Sequence, residues 1–198
     1  MALPPDEPLP PADLAQRDLP VVRLAGPWLR IHRQIHDPIF FGTTRSNRFD
    51  DPRRQYGVLY VAETLDGAFI ETFGRSPGVN TVSQRQLSDR ALARIQASRP
   101  LRLVDLTGPG LAQIGATGSL TSGSHDVARE WSRALWTHPS RPDGLLFRAR
   151  HDPSCLSVAI FTRASRLVRS TRVGGLLDPA QLPLLAATLQ RYRFSLRP

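Results

Sequence analysis

The chain has 198 residues, 40% of them hydrophobic, which suffices for one domain with a real core and would be cramped for two. Its formal charge is +9, yet all 26 basic residues are arginine; the absence of lysine removes a Schiff-base lysine, a lysine general base and the lysine of a phosphate-binding P-loop, and leaves many guanidinium forks suited to phosphates and carboxylates. The single cysteine, Cys155, excludes an intramolecular disulfide and disfavours a thiolate zinc centre, and without a signal-like leader or a run of about 18 apolar residues a cytoplasmic protein with no membrane span is expected.

In chain order, residues 1 to about 20 hold six of the 18 prolines among acidic and small residues, so a disordered Pro-rich tail at 1–20 and a single domain over 21–198 are expected. Trp28 to Arg33 alternates apolar and polar, which predicts a strand with Leu29 and Ile31 inward and Arg30 and His32 together on the other face. His32 and His36 have a metal-binding spacing for a helix, but a strand and Pro38 break that face, so no metal site is expected. The stretch from Arg48 to Glu71 organises the rest. Val58 to Ala62 reads as a buried strand, and a helix follows with Thr64 as N-cap, Asp66 in its first turn and Leu65, Ala68, Phe69 and Thr72 on one face. Glu71 falls outside that face, between Ile70 and Phe73, which places its carboxylate at the margin of a cleft. A loop, a strand and a helix thus deliver Arg48, Tyr60 and Glu71 to one candidate binding site.

Beyond it, a polar stretch runs to Pro100 with a short helix expected around Asp89 to Gln96, and Leu101 to Leu106 reads as a strand. Gly108 to Gly115 looks like a dinucleotide-binding fingerprint, but its third glycine would be Gln113 and Pro109 lacks a needed N–H, so a turn opening a short helix is expected. Ser119 to Ser124 reads as a loop, and His125 to Thr137 as an amphipathic helix ended by Pro139. Asp143 to Ala149 and Cys155 to Phe161 predict two antiparallel strands, and a closing helix is expected from Asp178 with Pro179 in its first turn. The sum is an α+β fold: a mixed, largely antiparallel sheet with packed helices.

These pieces, in this order, resemble the RES-domain family: LRIHR at 29–33, NRFD at 47–50, YGVLYVAE at 56–63, AFIETF at 68–73, LRLVDL at 101–106, DGLLFRARHD at 143–152 and RYRF at 191–194. The resemblance, covering roughly residues 28 to 195, implies an ADP-ribosyltransferase-like fold and an NAD-consuming toxin of a toxin–antitoxin pair, acting as NAD glycohydrolase or NAD phosphorylase. Its alternatives are transfer of ADP-ribose to a macromolecule, or a catalytically silent basic binding module. The family arginine falls on Arg48, its strand tyrosine on Tyr60, its glutamate on Glu71 and its first-strand arginine on Arg30; His32 and Arg148 join them as expected substrate-binding groups. The family serine aligns with Ala149, which implies a slowed enzyme, while Ser154 and Ser157 lie further along. NAD is then a substrate and not a cofactor, with inorganic phosphate as a candidate co-substrate. An Xre-type helix-turn-helix antitoxin is the expected partner, direct nucleic-acid binding is not expected, and a homo-oligomer stays open. The chemistry suits these residues: nicotinamide leaves its pyridinium as a neutral molecule, so one carboxylate to stabilise the oxocarbenium-like charge replaces the usual pair.

Overall fold

The computed structural model describes residues 8–74, 76 and 78–198. In chain order its strands are β1 (Val21–Leu24), β2 (Trp28–Arg33) and β3 (Val58–Ala62), then helix α1 (Leu65–Phe73), β4 (Thr81–Ser83), α2 (Gln84–Ser88), β5 (Arg90–Ala97) and β6 (Leu101–Asp105). Three helices follow, α3 (Pro109–Ile114), α4 (Ser119–Ser122) and α5 (His125–Thr137), before β7 (Gly144–Arg148), β8 (Leu156–Phe161), β9 (Val168–Gly175), α6 (Leu182–Arg191) and β10 (Ser195–Arg197). Eight strands form one sheet in the order β1-β6-β7-β8-β3-β2-β5-β9, antiparallel throughout except for the β6/β7 pair. Strands β4 and β10 make a separate parallel pair. The fold class is therefore the expected α+β arrangement.

Residues of alternate parity along the strands divide the core. One face carries Trp28, Leu59, Val61, Ile95, Leu101, Leu103, Val158 and Ile160 as a continuous apolar layer. The other face is split in two. Val58, Leu145, Phe147, Ala159 and Phe161 meet Trp131 and Leu135 of α5, whereas Ile31, Ala62 and Leu92 meet Ala68 and Phe69 of α1 and Leu185 of α6. The gap between these two clusters coincides with a splay in the sheet. β2 pairs with β5 over six positions and β3 with β8 over five, but β2 and β3 share only Leu29↔Ala62.

Several expectations need correction. Asp89 to Gln96 is not a helix: its helix-forming Ala, Leu, Arg and Gln lie in β5, where Ala93, Ile95 and Ala97 are buried and Arg94 and Gln96 exposed, a period of two set by pairing with β2 and β9. Within the expected Ser119–Ser124 loop, α4 forms a single turn, with the Thr121 and Ser122 hydroxyls both donating to the Gly118 carbonyl at 3.1 Å. The closing helix starts at Leu182 with Pro183 in its first turn. Asp178 instead makes a tight turn, accepting the Gly175 N–H at 2.7 Å. The tail expectation fails for residues 8–20, and residues 1–7 lie outside the described residues. Leu14 is buried in the α5 cluster, the Trp131 indole donates to the Pro8 carbonyl at 2.7 Å, and the Pro20 carbonyl accepts the Asp105 N–H at 2.7 Å. A Pro-rich segment lacks donors but keeps every carbonyl, and here those carbonyls meet donors at the edge of the fold.

Candidate functional site

The opening between the two clusters is a cleft of about 690 Å³. Its floor is β3 and β8. In register, Ala62 faces Ser157 and Ser157 faces Phe147, so these three side chains lie side by side across the sheet, with Tyr60 beside them. The cleft is lined by Arg30, His32, Arg48, Tyr60 and Glu71, and also by Ser157, His125 and Arg150. Five arginines, Arg30, Arg33, Arg48, Arg90 and Arg150, face it against two acids, Asp37 and Glu71. Such a charge ratio suits a polyanionic ligand.

Arg30 stands where the strands part. Tyr60 has no ladder partner on β2, and the Arg30 guanidinium donates to its carbonyl at 2.6 Å. Burial pushes the Arg30 pKa down to about 10, which leaves it a cation at neutral pH. On the same face of β2, His32 Nδ1 lies 2.9 Å from the Arg33 carbonyl and 3.1 Å from that of His36. Two acceptors there assign the proton to Nδ1 and make Nε2, buried and without a protein partner among the described residues, an acceptor. Burial first, then the Arg30 and Arg172 charges, lower its pKa and keep the ring neutral.

Arg48 is carried by a loop that two buried carboxylates shape. Asp50 accepts the Tyr60 hydroxyl at 3.0 Å and the Asn47 N–H at 3.0 Å; Asp51 accepts the N–H groups of Arg53 and Gln55 at 3.0 and 2.5 Å and pairs with Arg133 at 3.1 Å. Arg48, itself buried, donates to the Gly123 carbonyl at 2.9 Å, which ties the loop to the segment before α5. The Tyr60 hydroxyl also accepts the Phe49 N–H at 2.9 Å. Burial and Asp50 hold the phenol well above its ordinary pKa, so Tyr60 is neutral and offers its ring to the cleft. At the first residue of α5, His125 has its pKa lowered by burial and then by Arg48.

Glu71 comes from the opposite wall. α1 begins with Thr64 accepting the Gly67 N–H at 3.1 Å, as its sequence predicts. Gly67 lets the helix lie close to the floor: a Cβ there would stand 3.2 Å from the Cβ atoms of Ala62 and Cys155. About one turn on, Glu71 Oε1 accepts the Arg150 N–H at 2.9 Å.

Two expectations do not fit this geometry. Arg148 points away from the cleft, because Phe147 is the β7 residue that faces it and successive strand residues alternate; its guanidinium donates to the Pro153 carbonyl at 2.8 Å. Ala149 is not at the cleft either but buried with Ala62, Ala68 and Cys155. A buried hydroxyl in the cleft belongs to Ser157, 3% exposed and without a hydrogen-bond partner among the described residues. The sequence reading set Ser157 aside as lying too far along to match the family serine, although it is the only polar side chain in the strand LSVAIF. A buried hydroxyl without a protein partner is costly and signals a site whose partner arrives from outside.

The RES domain matches residues 27–184. Over 104 residues the chain is 31% identical to a probable toxin, y4kH, of Sinorhizobium fredii, spanning 52% of this chain and 81% of that one. Its fold superposes on one chain of the crystal structure of the M. tuberculosis MbcT–MbcA toxin–antitoxin complex with a TM-score of 0.67, 18% identity, and coverage of 89% of this chain and 98% of that chain. Among the described residues no helix is long and apolar enough to cross a membrane. On the match over most of its length, the chain belongs to the RES-domain family.

Proposed function

We propose that this protein is the toxin of a toxin–antitoxin pair and that its cleft cleaves the nicotinamide–ribose bond of NAD. The observation that carries this reading is the convergence of Arg30, Arg48, Tyr60, Glu71 and Ser157, drawn from three strands, a loop and a helix, on one cationic cleft. In this reading Arg30 and Arg48 hold the pyrophosphate, since guanidinium forks match phosphate oxygens in both charge and shape. Tyr60, its hydroxyl engaged by Asp50 and Phe49, presents its ring to the nicotinamide. His32 Nε2 accepts from a ribose hydroxyl or the carboxamide. Glu71 opposes the positive charge that develops on the ribose as nicotinamide departs, and its fixed contact with the Arg150 N–H orients it in advance. Ser157 supplies the hydroxyl that the sequence match sought at Ala149, and it positions the ribose or the attacking group. Because the leaving group is neutral, no general acid is required and the scheme calls for no resident metal or cofactor.

An enzyme that destroys a shared cofactor needs restraint from outside. The partner in this reading is an Xre-type helix-turn-helix antitoxin whose carboxylates occupy the cleft arginines, so that antitoxin and NAD compete. Purified protein incubated with NAD, with and without inorganic phosphate, tests the activity. Nicotinamide release with a phosphorylated product identifies a phosphorylase, and release with free ADP-ribose a glycohydrolase. A labelled macromolecular acceptor without free product would replace both with a transferase.

A further inference from the structure

We infer that Tyr192, beyond the end of the RES match, is a positioning residue that acts on Glu71 through Asp152; this rests on the reading of Glu71 as the catalytic carboxylate. One contact that orients Glu71 comes from a backbone N–H, that of Arg150, so the geometry of the 149–155 link bears on where the carboxylate points. The link is closed at its base by the Ala149 N–H donating to the Cys155 carbonyl at 2.9 Å and by the Cys155 N–H donating to the Asp152 carbonyl at 2.9 Å. Asp152 is the hub of this turn. Its side chain accepts the Ser154 N–H at 3.0 Å and the Ser154 hydroxyl at 2.5 Å, and from outside the turn it accepts the Tyr192 hydroxyl at 2.7 Å. Arg191 adds its charge at 3.6 Å. The hydrogen bonds from Ser154 and Tyr192 hold the Asp152 carboxyl at about 2, so it is an anion at every working pH.

The same C-terminal segment also grips the helix that carries Glu71. The Thr188 hydroxyl donates to Asp66 of α1 at 2.6 Å, Arg191 pairs with Asp66 at 3.5 Å, and the rings of Tyr192 and Phe69 lie parallel with centroids 6.4 Å apart. Tyr192 therefore touches both the element that bears the carboxylate and the turn that bears its backbone donor. Fixing two parts of a site to one rigid element is how a protein holds a reacting group within the few tenths of an ångström that catalysis demands.

Tyr192→Phe removes the hydroxyl and keeps the ring, and Leu184→Ala changes only the exposed face of the same C-terminal helix. With NAD as the probe and nicotinamide release as the readout, Tyr192→Phe should lower kcat about tenfold with KM within about twofold, whereas Leu184→Ala leaves kcat within about twofold. In a Glu71→Gln background, Tyr192→Phe should cause no further loss in the residual rate, because two residues that act as one unit are not additive. Equal losses from Tyr192→Phe and Leu184→Ala, an unchanged kcat, or a full tenfold loss in the Glu71→Gln background would overturn the inference. Should Tyr192→Phe not fold, Asp152→Asn decides by the same comparison. A wild-type protein that releases no nicotinamide would instead remove the NAD reading itself.

Discussion

The two walls of the cleft are built on different plans. The wall that carries Arg48 and Tyr60 rests on buried carboxylates: Asp50 and Asp51 are both fully buried, and between them they accept hydrogen bonds from Asn47, Arg53, Gln55, Tyr56 and Tyr60. The facing wall presents Glu71, half-buried, from a helix against an exposed link at Arg150 and Ser154. Charges buried and fully paired are hard to move, because every displacement exposes an unsatisfied group in a low dielectric. In the proposed reading Arg48 and Tyr60, assigned to ligand binding, sit on the stiffer wall, and Glu71, assigned to bond breaking, sits on the wall with the lighter frame. The difference assigns loss of stability to changes in one wall and loss of rate to changes in the other.

The sharpest break of this contrast is Glu71→Gln, which keeps shape and removes charge. It should cost on the order of 10²-fold or more in kcat while thermal unfolding stays unchanged. Asp50→Ala should do the reverse in kind. By leaving the Tyr60 hydroxyl and the Asn47 N–H without their acceptor, it should lower the unfolding free energy by about 2 to 4 kcal/mol in denaturant titration. Ser157→Ala separates the two effects within one residue. The hydroxyl has no protein partner among the described residues, so its loss should leave stability equal or slightly raised while kcat/KM falls about tenfold. The smallest effect is expected from Arg48→Lys, which keeps the charge and loses the fork. KM should rise a few-fold and by more than kcat falls; the opposite pattern in steady-state kinetics would move Arg48 from the binding wall to the reacting centre.

How far the sequence exposed this arrangement depended on whether a signal was local. The strand Val58–Ala62, the Thr64 cap and the helix bearing Glu71 were legible because the apolar run, the capping residue and the helical spacing sit within a few positions of each other. The same holds for α5 and for the antiparallel β7/β8 pair. β5 was misread because Ala, Leu and Gln favour helix locally and only its neighbours on both sides impose strand. Arg30 and His32 were correctly set on one face by alternation, but the splay between β2 and β3 that opens their side of the sheet has no local mark. Ser157 was set aside for a related reason. Its place in the cleft follows from register with Ala62 and Phe147, partners 95 and 10 residues away, and a match by sequence position fell on Ala149 instead. Arg148 was expected to bind substrate, an expectation that the alternation of β7 overrides.

Whether the two walls close on NAD at all is the central claim, and nicotinamide release by the purified wild-type chain measures it most directly. Incubated with NAD, the protein should release nicotinamide in a steady, multiple-turnover reaction that Glu71→Gln nearly abolishes. Soluble, folded protein that releases none, with or without phosphate, would contradict the account.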